Sequence, residues 1–128
     1  MPGPLFLDLD HVLRLHRSLL DRYGGPDGVR DMGLLQSAIA MPQAAYDGER
    51  LHSDIFEMAA AYLYHVVQNH PFLDGNKRTG AALAIVFLAI NDIEIDNDED
   101  GLVELTLSVA TGKSGKTEIA EFFRSRAH

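Results

Sequence analysis

The chain has 128 residues and a formal charge of −8, with 46% hydrophobic and 23% charged residues. That length fits one domain over residues 1–128, large enough to bury a core unaided, and the composition excludes wholesale disorder. Cysteine is absent, which removes disulfides, iron–sulfur clusters, thiolate zinc sites and a thiol nucleophile, and suits a reducing cytoplasm.

Asp92, Glu94, Asp96, Asp98, Glu99, Asp100 and Glu104 form one acidic run without Lys or Arg; elsewhere eleven basic residues meet twelve acidic ones. No basic stripe of the kind that non-specific nucleic-acid binding needs is present, so no direct nucleic-acid partner is expected. Met1-Pro2-Gly3-Pro4 has neither a positive start nor an apolar stretch behind it, so no leader is expected. The longest apolar run, residues 81–90, falls short of the ~20 residues of a bilayer span. The chain is therefore expected in the cytoplasm, away from membranes.

The elements read as helical throughout. Asp8 or Asp10 caps a first helix to about residue 23, with Leu9, Val12, Leu13, Leu19 and Leu20 on one face. Gly24-Gly25-Pro26-Asp27-Gly28 stops it in a turn. A second helix fits residues 32–41, with Leu34, Leu35, Ala38 and Ile39 inward and Pro42 as its end. A polar stretch, residues 43–53, precedes a third helix capped by Ser53 or Asp54 and ended near residue 69 by Pro71. A fourth helix, residues 76–91, starts at Asn76 as a potential cap and is apolar on all faces from Ala81 onward, which marks it as the buried central helix. Ile93-Glu94-Ile95 is a short extended link; Asn97 or Asp98 caps a fifth helix over residues 99–110, and a sixth covers residues 114–126. The expected fold is a compact, all-α, six-helix domain.

The informative segment is His70-Pro71-Phe72-Leu73-Asp74-Gly75-Asn76-Lys77-Arg78-Thr79-Gly80. It leads into a helix N-terminus, where unpaired amides and the helix dipole favour a phosphate. Gly75 lets the backbone approach a ligand. Asn76, Lys77 and Arg78 add a neutral donor, a point charge and a planar fork. Asp74 is a carboxylate of the kind that holds Mg²⁺ together with substrate phosphates. His70 can accept a proton from an attacking hydroxyl near neutral pH, and Phe72 is expected to anchor the loop in the core. Together these residues suit phosphate transfer.

Residues 70–78 match, at every fixed position, the Fic motif HxFx(D/E)GN(K/G)R, and the chain resembles the Fic family. Arg22-Tyr23-Gly24-Gly25, Arg30-Asp31-Met32-Gly33-Leu34-Leu35-Gln36-Ser37-Ala38-Ile39 and Ala110-Thr111-Gly112 are similar to its death-on-curing (Doc) toxin branch. The resemblance implies an all-α Fic-like fold and nucleotide-dependent modification of a protein. It implies that His70 is the general base, that Asp74 holds Mg²⁺, and that Gly75, Asn76, Lys77 and Arg78 bind the phosphates of ATP. Most of the family transfers AMP. Lys77 stands where those members have glycine and Ala81 where they usually have arginine, and both departures are shared with the Doc branch. There the resemblance implies γ-phosphate transfer to a Ser or Thr hydroxyl of a translation elongation factor, which halts translation. AMP transfer, and a non-catalytic binding module using the same groove, are the alternatives.

The polar stretch 43–53 falls where family members carry a flap that docks the target's backbone. Ser53 to Glu57 and Ser114 to Glu118 each fit only the first part of the family's inhibitory motif (S/T)xxxE(G/N), being followed by Met58 and Ile119. The expected inhibitor is therefore a separate small antitoxin.

Two patterns are read as coincidental. Residues 96–107 imitate an EF-hand loop but end on Leu107 where a bidentate Glu belongs; they read as an acid-rich helix start. Residues 110–117 satisfy a loose P-loop pattern, but only eleven residues follow and no βαβ context exists; they read as a helix–turn–helix joint with a solvated Lys pair. His11, His16, His52 and His65 lack metal spacing and are assigned structural or solvated roles.

Overall fold

Asp8, Asp31, Asp54 and Asp98 each accept a hydrogen bond from the backbone N–H three residues on, and so open four of the helices. The protein is described here as a computed structural model covering residues 3–128; Met1 and Pro2, part of the start read above as no leader, lie outside the described residues. Six helices follow in order: α1 (Leu9–Tyr23), α2 (Met32–Ala40), α3 (Ile55–Asn69), α4 (Asn76–Ile90), α5 (Glu99–Ala110) and α6 (Lys116–Arg126). No helix among the described residues is long and apolar enough to cross a membrane.

The helices share one core, and its centre is α3 rather than α4. Met58, Ala59, Ala60, Ala61, Tyr62, Leu63, Val66 and Val67 are all buried, and α2, α4, α5 and α6 pack around them. Three consecutive alanines let neighbours approach α3 from several sides. In α4 the face bearing Leu83, Ala84, Phe87 and Leu88 is buried, while Ile85 and Ile90 remain exposed. The apolar helix α4 is thus buried where it meets α1, α3 and α5 and open on one side, and apolar side chains are also common on protein surfaces. Gly80 brings the two helices together: a Cβ there would lie 3.1 Å from the Leu63 carbonyl oxygen and 3.2 Å from Val67 Cγ2.

The buried stripe of α1 is Val12, His16 and Leu20, so an imidazole occupies the middle of an apolar face. The N-terminal segment is tied down where Leu7 N–H donates to the buried Tyr62 hydroxyl at 2.9 Å; burial pushes that phenol up to about 12. After α2 a 3-10 turn, Met41–Gln43, buries Pro42. The polar stretch that follows folds into an exposed hairpin, β1 (Ala45–Tyr46) against β2 (Glu49–Arg50). Its turn residues Asp47 and Gly48 both take positive φ, as two-residue hairpins prefer. Residues 93–96 run extended beside the C-terminus: Glu94 and His128 exchange backbone hydrogen bonds, and Asp96 N–H donates to the Arg126 carbonyl.

Candidate active site

Pro71 cannot extend α3, and the chain leaves it through His70, which caps the helix in the left-handed region (φ 52, ψ 51). Two carbonyls left open at this end are taken by Arg30, whose Nε donates to the His70 oxygen at 2.6 Å and whose Nη2 donates to that of Asn69 at 2.9 Å. Arg30 and Asp31 N–H also donate to the Pro71 carbonyl, and Leu73 N–H donates to that of Gly28. The 28–31 segment therefore forms a ledge paired with the motif, including a bridge between Val29 and Phe72.

Phe72 anchors the loop as expected. It is buried and stacked on His16, with ring centroids 3.7 Å apart and planes 8° from parallel. Full burial of such a ring stabilises by about 1.5–3 kcal/mol. Asn76 closes the turn from the other side. Its Oδ1 accepts from Phe72 N–H at 2.9 Å, and its Nδ2 donates to the Phe72 carbonyl at 3.0 Å. Those two bonds fix the amide's orientation, and the same Nδ2 lies 3.1 Å from His70 Nδ1. Asn76 is buried and is not the helix cap: that position belongs to Gly75, at φ 79, a conformation that glycine adopts without strain. The polar atoms of Asn76 are committed inside the loop, so it shapes the site from behind.

His70, Leu73, Asp74, Gly75, Asn76, Lys77 and Arg78 line one cleft of ≈ 200 Å³ at the start of α4. The first helical bond there runs from Thr79 N–H to the Gly75 carbonyl, leaving the amides of residues 76–78 without helical partners, as at any helix start. Asp74 is exposed and backs onto Gly25, where a Cβ would overlap its carboxylate. Its carbonyl accepts from His16 Nε2 at 2.9 Å. Lys77 and Arg78 are exposed and, among the described residues, form no salt bridge. The Arg78 guanidinium instead lies over the Tyr23 ring, 4.1 Å from its centroid. A base, a carboxylate and two cations thus share one cleft, an arrangement able to hold a polyphosphate and accept a proton beside it.

The supports of this loop lie outside the motif. His16 had a signal in the sequence, as a polar residue in the i, i+4, i+8 stripe of α1; Arg30 and Gly25 had none beyond their places in the segments similar to the Doc branch. The acidic run is a helix start: Asp98 caps α5 and pairs with Arg126 at 2.8 Å. Residues 110–117 form the joint between α5 and α6, but their lysines are not a solvated pair. Lys113 is exposed, whereas Lys116 is half-buried, its Nζ 3.2 Å from His52 Nε2 and 3.0 Å from His65 Nε2. The two (S/T)xxxE segments are committed locally. Ser53 donates to Glu57 at 2.6 Å and Glu118 accepts from Gly115 N–H. The first begins the helix whose far end carries His70, about 22 Å away at 1.5 Å per residue.

The model of the Fic/DOC family matches residues 6–88. The chain belongs to that family. It is 34% identical over 115 residues to a protein named "Protein kinase doc" from Escherichia phage P1, covering 90% of each chain. It is 43% identical over 91 residues to a protein named "Toxin Doc" from Mycolicibacterium smegmatis, covering 70% of each. The all-α fold of this Fic/DOC member and its resemblance to the Doc branch therefore stand. Within the family match lie α1, the 28–31 ledge and the entire motif loop.

Proposed function

We propose that this Fic/DOC protein is a Doc-like toxin that transfers the γ-phosphate of Mg-ATP to a Ser or Thr hydroxyl of a cytoplasmic translation elongation factor. The observation that carries the reading is the convergence of His70, Asp74, Lys77 and Arg78 on one cleft at a helix N-terminus, in a chain similar to a protein named as a kinase. His70 takes the hydroxyl proton. The hydroxyl oxygen forms a bond to the γ-phosphorus as the bond to the bridging oxygen breaks, and ADP leaves. Lys77, Arg78 and the amides that open α4 hold the phosphates through charge-assisted hydrogen bonds. Gly75 keeps the backbone close to them, and Asn76 holds the loop to its shape.

Asp74 suits Mg²⁺: it is an exposed carboxylate in the same cleft, and one carboxylate with substrate phosphates and water satisfies that ion. When bound, Mg²⁺ neutralises charge that develops on the phosphates. The exposed hairpin at residues 45–50 is the flap along which the target's backbone docks. Inhibition comes from a separate small antitoxin, consistent with the local commitments of Glu57 and Glu118.

The test follows label. Antitoxin-free protein and its His70→Ala variant are incubated with bacterial lysate and Mg-ATP labelled at the α- or the γ-phosphate. Transfer of the γ-label alone, lost in the variant, is expected, and the labelled band identifies the target. Transfer of the α-label would make the protein an AMP transferase, and transfer of neither would make the cleft a binding groove.

A further inference from the structure

We infer that His16 is a positioning residue for the turn that carries Asp74, an assignment that rests on the reading of Asp74 as the Mg²⁺ ligand. His16 is 2% exposed, in the middle of the apolar stripe of α1. One ring performs two tasks. Its face stacks on Phe72 at 3.7 Å, which fills the space beneath the loop. Its edge points Nε2 at the Asp74 carbonyl, 2.9 Å away. A carbonyl only accepts, so Nε2 carries the hydrogen.

A phenyl ring would stack equally well and leave that carbonyl without its donor from α1. The bond is half-buried at an otherwise exposed residue, so water can in part replace the lost donor; the fold tolerates the loss, but the turn is no longer held to one orientation. The peptide in question is the one that joins Asp74 to Gly75, whose φ of 79 turns the chain into α4. The His16 ring lies directly below it, with Nε2 3.7 Å from where a Gly75 Cβ would be. On the other side of the carboxylate stands Gly25, which leaves room for it only by lacking a Cβ. The α1 helix and the turn after it thus set both the backbone and the side-chain position of Asp74.

Two substitutions separate the tasks. His16→Phe keeps the ring and deletes the donor; His16→Gln deletes the ring and keeps an N–H at similar reach. Each full-length, ¹⁵N-labelled variant is melted, and the Gly75 amide resonance is recorded, since that amide shares a peptide unit with the Asp74 carbonyl. Mn²⁺ is then titrated in the presence of ATP, following broadening of the Gly75 and Lys77 amide signals. The parent is expected to show His16 protonated at Nε2. The Phe variant is expected to melt near the parent, to shift the Gly75 resonance, and to need about tenfold or more Mn²⁺, the range found when a group orienting a metal ligand from behind is lost. The Gln variant is expected to recover most of both.

A Phe variant with the parental Gly75 resonance and parental Mn²⁺ midpoint overturns the assignment. So does a Gln variant as impaired as the Phe one, since ring packing would then be the whole contribution. If Mn²⁺ broadens nothing in the parent, the reading of Asp74 as a metal ligand fails, and the Gly75 resonance alone decides whether His16 positions the turn.

Discussion

Asn76 illustrates how a motif residue acts through its neighbours. Its amide satisfies both backbone polar groups of the buried Phe72, and leaving such groups unpaired costs about 1–3 kcal/mol each. Asn76→Ala is therefore expected to lower unfolding free energy by about 2–4 kcal/mol in urea titrations, a loss too large for a residue that only touches ligand. Gly25→Ala belongs to the opposite class. Gly25 is exposed at φ 119 and abuts the Asp74 carboxylate, so the added methyl is expected to cost about 1–2 kcal/mol in stability while sharply reducing label transfer. Parental transfer by a folded Gly25→Ala protein would show that the carboxylate needs no room there. The seven fixed motif residues were legible because each is a chemically distinctive type at fixed spacing. That Asn76 works inward was not, since an amide beside a phosphate and an amide beside a peptide read identically in one dimension.

The helices were legible at nearly every boundary because their signals are local. Asp8, Asp54 and Asp98 are the caps, each one of the two neighbouring candidates that the sequence offers, and Pro42 and Pro71 end what precedes them. Two features escaped. Strands of two residues have no periodicity to detect, so the hairpin at residues 45–50 read only as a polar stretch. The choice of central helix depended on side chains of other elements: the alanines of α3 and the missing side chain at Gly80 decide which helix is surrounded. Gly80 supplies the test of that contact. Its closest neighbour is backbone, the Leu63 carbonyl, which cannot rotate away as a side-chain end would. Gly80→Val is expected to cost about 1–3 kcal/mol as an overpacked helix–helix contact, read as a lowered denaturation midpoint with unchanged urea dependence. A neutral result would mean that α4 slides on α3 more freely than this packing implies.

At the scale of the molecule, α3 borders a second polar cluster besides the motif. Where α6 begins, Lys116 donates to the two imidazoles of His52 and His65, with Glu57 and the Tyr64 ring nearby. Burial first, and Lys116 second, hold His65 down to about 4 and lower His52 as well. Unfolded, both histidines bind protons near 6.5. Between these values the unfolded chain binds more protons than the folded one, so stability falls as pH falls. For His65 the loss is about 2 kcal/mol from pH 7 to pH 4.5, after discounting for its partial exposure. Urea titrations at the two pH values check this, and His65→Gln is expected to flatten the difference by about that amount; an equally steep loss in the variant would assign it to other groups.

The ledge at residues 28–31 and the ring of His16 have a last consequence, for how the motif travels between proteins. The loop's shape is written in α1 and in the turn after it, tens of residues before the loop itself. Grafted onto another helix–loop–helix joint, the nine residues would keep their chemistry and lose their conformation. Conversely, a chain that retains His70 and Arg78 but has shed the imidazole at position 16 and the guanidinium at position 30 would satisfy a motif search while lacking the bonds that hold the loop to this shape.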